Sequence, residues 1–394
     1  MKKIDKVIYS LFDKYFSYIL MIFMLIFSFG ITYVFMNNVA GDYTEFLKPW
    51  VNYIAGHGGI KALANIPANY NVPYLYILTF IAKWPSHSLE LIKIASIIFD
   101  YILAFGVALV VGEIAKDSIK KRKLQVISFF MILFIPTVIL NGAAWAQCDA
   151  IYSAFCIYSI YFMISKKPTV SLIIFGIAFA FKLQTVFLLP VLIILYFSNR
   201  KFSILNFLWI PIINIILYLP AWIIGRPFKE IITVYFGQSA LYKALSLNIP
   251  NIYSMFYTGD NSMIRKAGMI FTVVLFATLF YVVIESKKEI DGKGVIMLSL
   301  LSVLIATYFL PGMHERYTYL ADILSVVYFM IRRDRFYIPI VILFNSFMTY
   351  ISYLWGYDVI KYQYLAVAQL VVFLIVARDF YKYLKNNKKE MEVV

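Results

Sequence analysis

Charge is scarce in this chain. Only 14% of its 394 residues are Asp, Glu, Lys or Arg, whereas a soluble domain carries about 25%. That shortage excludes an ordinary water-soluble globule. Cysteine is scarcer still: Cys148 and Cys156, eight residues apart in an apolar stretch, exclude a disulfide framework and a thiolate metal site. With three histidines, no His-Glu-x-x-His motif is present, nor is a glycine-rich phosphate loop or Gly-x-Ser-x-Gly, so the signatures of common soluble enzymes are missing. Segments of alternating polarity, which a transmembrane β-barrel needs, are absent too. No internal repeat, low-complexity tract or soluble segment of domain size interrupts the chain, which reads as one membrane domain over 1–394.

What is present is apolar. Hydrophobic residues make up 62% of the chain, and runs long enough to cross a bilayer recur along it, which predicts an all-α polytopic membrane protein. We read about 12 spans, at 17–37, 91–112, 124–141, 149–164, 168–182, 183–197, 203–224, 267–285, 294–311, 317–331, 336–355 and 360–377. No small-residue cleavage site follows the first run, so it is read as a retained anchor. The net charge of +15 suggests nucleic acid at first sight, but its placement argues against that partner. Alternate gaps hold 24 of the 36 Lys and Arg, including Lys116 and Lys120–Lys123. This is the positive-inside pattern, and it places both termini in the cytoplasm.

Two long outer loops follow, 38–90 and 225–266. The stretch 72–83 is apolar, but its 12 residues make a helix of about 18 Å, short of the roughly 30 Å hydrocarbon layer. It is therefore expected to lie along the outer surface. The runs 168–182 and 183–197 are short as well, and a hairpin with Lys182 near its outer tip is expected.

The unusual polar residues sort to the same side. Asp42 and Glu45 follow the first span in Gly41-Asp42-Tyr43-Thr44-Glu45-Phe46-Leu47-Lys48-Pro49-Trp50. Gln147 and Asp149 stand at the mouth of the fourth span in Trp145-Ala146-Gln147-Cys148-Asp149. Lys182 ends the fifth, and His314, Glu315 and Arg316 lie between the ninth and tenth. Polar groups at a membrane boundary usually face a cavity or one another. Each has a plainer reading, which stays open here: Asp42 as a solvated loop acid or helix cap, Asp149 as an N-cap, Lys182 snorkelling to headgroups, and His314–Arg316 as an interfacial salt-bridged turn. Asp100 and Asp322 lie within spans, where helix–helix contacts are the expected role.

Three of these blocks carry a family likeness. Gly41-Asp42-Tyr43 through Trp50, then Trp145-x-Gln147-x-Asp149 with Lys182 and Pro190 downstream, then Met313-His314-Glu315-Arg316-Tyr317 with Asp322, resemble the motifs of the GT-C superfamily of integral-membrane glycosyltransferases. The likeness is in particular to bacterial relatives of the mannosyltransferase that adds the second mannose to GPI anchors. The His-Glu motif of dolichyl-phosphate-glucose-dependent glucosyltransferases is a more distant echo. The blocks span about 41–322. The family usually has Gly where this chain has Ala146.

The resemblance implies a hexose, mannose or similar, carried on a polyprenyl phosphate. It implies inverting transfer to a glycan, glycolipid or cell-wall polymer outside a bacterial plasma membrane. It also implies that the first-loop aspartate is the catalytic base. The residue chemistry is compatible with that. A carboxylate near an acceptor hydroxyl can take its proton, which fits Asp42. A leaving phosphate needs positive charge and donors, which fits His314, Arg316 and Lys182, with Arg able to grip two phosphate oxygens. Glu45, Trp50, Gln147, Asp149, Glu315 and Tyr317 are expected to support or bind substrate. No cofactor is implied and no metal is required, although Asp42 and Glu45, three residues apart, are spaced to share a divalent cation. The rival reading is a polytopic transporter or polyprenol-linked sugar flippase, whose polar residues would sit nearer the bilayer midplane. A lipid-linked-glycan polymerase or ligase is a third.

Overall fold

The computed structural model describes residues 3–241 and 243–385. Apart from one two-residue strand pair, its regular structure is helical, as expected of a chain whose backbone polar groups must be satisfied within each segment. In order the elements are α1 (Lys3–Val34), α2 (Lys48–Gly56), α3 (Val72–Ile81), α4 (Ser88–Ile114), α5 (Lys121–Leu133), α6 (Pro136–Ile139), α7 (Asp149–Ile164), α8 (Pro168–Phe181), α9 (Leu189–Asn199), α10 (Trp209–Ile224) and α11 (Phe228–Leu241). Then come β1 (Ser246–Leu247), α12 (Ser262–Glu285), α13 (Gly292–Phe309), β2 (Met313–His314), α14 (Tyr319–Ile331), α15 (Tyr337–Trp355) and α16 (Tyr362–Lys385).

Among the described residues, seven helices are long and apolar enough to cross a membrane, or eight if α5 and the following Pro136–Ala144 count as one bent span. The chain is a multi-pass membrane protein. The bend is 55°, within a stretch the sequence reads as one continuous span. Its cause is local: Pro136 has no N–H to donate and pushes Ile135 out of helical geometry, and Ile135 is extended at φ −66°, ψ 123°. Other apolar runs make shorter helices. α7 has 16 residues, α8 has 14, α9 has 11 and α14 has 13, each below the roughly 20 that span hydrocarbon unaided. The stretch 72–83 contains the ten-residue α3, about 15 Å long.

The core is built on α13, whose residues from Gly294 to Phe309 are all buried. It packs against α14 and α16, while α4, α7 and α8 pack side by side next to it. By contrast α1, α10 and α12 expose rows of Phe, Ile and other large apolar side chains, as helices facing lipid do. Asp322 ties α14 to its neighbours, accepting from Thr137 Oγ1 at 2.6 Å and Ser346 Oγ at 2.7 Å. Asp100 accepts from Tyr319 at 3.3 Å, joining α4 to α14.

Helix direction collects one set of ends. The C-terminal ends of α1, α8, α13 and α15 and the N-terminal ends of α7 and α14 meet at the same pole, where their side chains touch. A satellite core of α2, α3 and their linkers, centred on Val51, Ile54, Leu63 and Leu75, caps this pole.

Candidate active site

The segment entering the pole is tethered before it reaches Asp42. Lys93 of α4 is fully buried, and its ammonium donates to the carbonyls of Phe35, Met36 and Asn38 at 3.1, 2.8 and 2.6 Å. These carbonyls follow the end of α1, where helix geometry leaves acceptors open; the Phe35 carbonyl also accepts from Asn38 N–H at 3.0 Å. Asn38 in turn donates to the Ala144 carbonyl at 2.9 Å. A π-helical turn follows, Tyr43–Leu47, and a second one, Leu140–Ala144, precedes Trp145. Such turns recur beside functional sites. Both flank residues that converge.

Asp42 is held by three donors. Trp145 Nε1 and Gln147 Nε2 donate to its Oδ2 at 3.1 and 2.5 Å, and the Tyr353 hydroxyl donates to Oδ1 at 2.7 Å. Tyr353 also stacks on Trp145, centroids 4.2 Å apart and planes 19° apart. Gln147 is placed by a tight turn in which Ala146 takes φ +61°, a region that favours glycine because a Cβ crowds the backbone there.

Arg316 reaches the same point from the other wall. Its Nη1 donates to Gln147 Oε1, so one amide bridges Asp42 and Arg316. The guanidinium lies over the Trp145 ring at 5.4 Å. Carboxylates surround it at a distance: Asp42 at 3.6 Å, Asp149 at 3.9 Å and Glu315 at 3.9 Å. None of the three is within hydrogen-bonding range, and Nε is buried with no hydrogen-bond partner. Arg316 therefore keeps directed donors to offer an anion. Burial alone would disfavour its charge, but the nearby Asp149 and Asp42 carboxylates outweigh this and hold it firmly cationic.

Lys182 differs. Its ammonium is bonded directly to Asp149, whose other oxygen accepts from Asn141 at 2.9 Å. Asp149 is fully buried behind Lys182 and is not on the cavity wall. Lys182 is committed to one bonded carboxylate, whereas Arg316 has three carboxylates nearby and is hydrogen-bonded to none of them.

The loop after α13 is fixed by the second long loop. β1 pairs in parallel with β2, aligning Ser246 with Met313 and Leu247 with His314. Gly312, at φ +74°, donates to the Leu245 carbonyl at 2.8 Å. His314 is pushed down to about 3, by burial first and then by Arg316. At neutral pH its imidazole is uncharged and can offer a phosphate a hydrogen bond but no positive charge. Burial lifts Glu315 to about 7 against the opposing pull of Arg316, and lifts Tyr70 to about 12, which keeps that phenol protonated.

A cleft of about 740 Å³, open solvent at its mouth included, is walled by Asp42, Trp50, Tyr70, Gln147, Lys182 and Arg316, with His314, Tyr317, Phe46, Leu47, Asn69 and Gln184 completing it. Glu45 is exposed and not part of the wall, so it does not face Asp42 across a shared ion site. Among the described residues no group of three His, Cys, Asp or Glu is placed to hold a metal. Sequence reasoning missed Tyr353, Lys93, Asn141 and Gln184 as contributors. A tyrosine at the end of a span looks like interfacial belt, so Tyr353 carried no signal of its own. Comparisons with protein-family models and with curated proteins found no match for the chain.

Proposed function

We propose that this protein is an inverting membrane glycosyltransferase. It moves a hexose from a polyprenyl-phosphate carrier to a hydroxyl of a glycan, glycolipid or cell-wall polymer on the outer face of a bacterial plasma membrane, and its chain makes about twelve passes or partial passes. The observation that carries this reading is the Asp42–Gln147–Arg316 bridge: one carboxylate and one incompletely paired guanidinium, 3.6 Å apart, in one cleft at the ends of membrane helices.

The chemistry follows from the atoms. The acceptor oxygen attacks the anomeric carbon from the side opposite the phosphate, and its proton passes to Asp42. A carboxylate has about four lone-pair sites. Two on Oδ2 and one on Oδ1 are occupied, which leaves one on Oδ1 for the acceptor hydroxyl. A positioned base contributes roughly 10²–10⁴-fold. As the bond from the anomeric carbon to the phosphate oxygen breaks, its electron pair stays on the phosphate, whose charge grows from one negative to two. Arg316 meets that growth with a guanidinium that is hydrogen-bonded to no carboxylate, and donors already in place need no reorganisation. Neutral His314 adds a hydrogen-bond donor, and the Lys182–Asp149 pair fixes the floor between them.

The test is transfer of radiolabelled sugar from polyprenyl-phosphate donors by the purified protein in nanodiscs. Wild type is expected to form product and Asp42→Asn to form none while retaining its thermal unfolding profile. Normal product from Asp42→Asn would remove Asp42 as base. Vectorial sugar movement without transfer would favour the flippase reading.

A further inference from the structure

Gln184 stands in the 3₁₀ turn Leu183–Leu188, two residues beyond Lys182, and its side chain forms part of the cleft wall. The residue is 7% exposed, and its amide oxygen is buried without a hydrogen-bond partner among the described residues. Buried amide oxygens are rarely left in that state in native proteins, because the lost water is not replaced. The position therefore calls for a donor from whatever occupies the cleft.

The surroundings say what kind of occupant. Trp50 and Tyr70 stand together in the wall, ring centroids 5.6 Å apart and tilted 59°, and Tyr70 lies 5.9 Å from the Lys182 ammonium. Asn69 is a neighbouring wall residue. This stretch offers neutral amides and aromatic faces, and its one cation is already paired with Asp149. Anion-binding capacity is concentrated at Arg316 instead. An amide presents one acceptor and two donors side by side, which matches adjacent ring hydroxyls, each able to give and to receive. Aromatic faces suit the C–H side of a pyranose.

We propose that Gln184, with Trp50 and Tyr70, forms the subsite that holds the hydroxyls of the transferred sugar, Gln184 accepting from one of them. This rests on the glycosyl-transfer reading above and adds to it the residue that distinguishes one hexose from another. The subsite opens on the same cleft as Asp42 and Arg316, as a sugar placed between base and phosphate requires.

The experiment measures binding of farnesyl phosphate, and of farnesyl phosphate carrying mannose, glucose or galactose, to the full-length protein in nanodiscs. Wild type is expected to bind at least one sugar-bearing ligand more tightly than farnesyl phosphate. Gln184→Met, close in shape but without the amide, is expected to cut that advantage about tenfold and to leave farnesyl phosphate affinity within about twofold. Gln184→Asn, which keeps an amide one methylene shorter, decides the matter if the Met variant does not fold. If the sugar advantage survives in both variants, the subsite proposal is overturned while the transferase reading stands. If wild type binds farnesyl phosphate but gives no sugar any advantage, the subsite proposal falls alone. If wild type binds none of the four, both fall.

Discussion

Tyr353 donates its phenolic hydrogen to Oδ1 of Asp42 at 2.7 Å, across 311 residues of chain. Among the described residues no second donor reaches that oxygen, while Oδ2 is shared by Trp145 and Gln147. Tyr353→Phe keeps the stack on Trp145 and removes one hydrogen bond. We expect kcat to fall about tenfold with donor KM changed less than about twofold, because a carboxylate that is free to turn is a poorer base. Tyr353→Ala, which also removes the stack, is expected to lose more and to lower the apparent Tm. Steady-state kinetics on the two variants separates orientation from packing.

The two cations of the cleft should respond differently. Arg316→Gln is expected to weaken binding of polyprenyl phosphate by about 30-fold or more, with Arg316→Lys recovering only part, since a point charge cannot grip two oxygens. Lys182→Gln leaves Asp149 buried without its bonded counter-charge, Arg316 at 3.9 Å being its remaining cation, and is expected to cost about 3 kcal/mol of stability. Adding Asp149→Asn should restore most of it. Binding titrations and denaturation of the single and double variants check both statements.

Ala146 holds a left-handed backbone with an L side chain, at φ +61°. Ala146→Gly is expected to stabilise the protein by about 0.5–1 kcal/mol, the relief of that conformation less the extra freedom gained by the unfolded chain. Ala146→Val, β-branched and fully enclosed, is expected to lower the apparent Tm by more than Gly raises it. Thermal unfolding in one detergent compares the three.

Glu315 gives a pH signature. Burial raises its carboxyl from an ordinary 4.5 to about 7. A folded value above the unfolded one means its contribution to stability is fully present below about pH 4.5 and is lost as pH rises through about 7. Glu315→Gln has no such loss. The wild-type Tm is therefore expected to drop relative to the variant between about pH 5 and 8, by on the order of 5 °C. Equal slopes for the two proteins over that window would show that Glu315 does not titrate there.

Much of the fold was legible because a bilayer imposes simple requirements. Apolar runs gave a helix at every expected span, and the reading of 72–83 as too short to cross rested on length alone and matches a ten-residue helix. The break at Pro136 was in the sequence, but reading a single apolar run hid it. The short helices α7, α8, α9 and α14 could not be told from spans by hydropathy, which counts apolar residues and does not register whether neighbours or lipid cover them.

At the candidate site, the sequence by itself determined which residues were out of place: an acid, a glutamine, a lysine and a His-Glu-Arg run at helix ends in an apolar chain, where desolvation makes such groups costly. It did not determine their relations. Asp42 and Glu45 looked like a pair three residues apart, yet the π-helical turn between them leaves Glu45 exposed outside the cleft. His314 was expected to face the phosphate with charge or a donor, and burial beside Arg316 leaves it neutral, with only the donor. Lys182 and Arg316 were both expected at the phosphate, and only packing gives one a bonded counter-charge and leaves the other's Nε without a hydrogen-bond partner. Residue types set what chemistry is available; the distances and burial that decide which charge is satisfied arise only when helices distant in sequence bring their ends together.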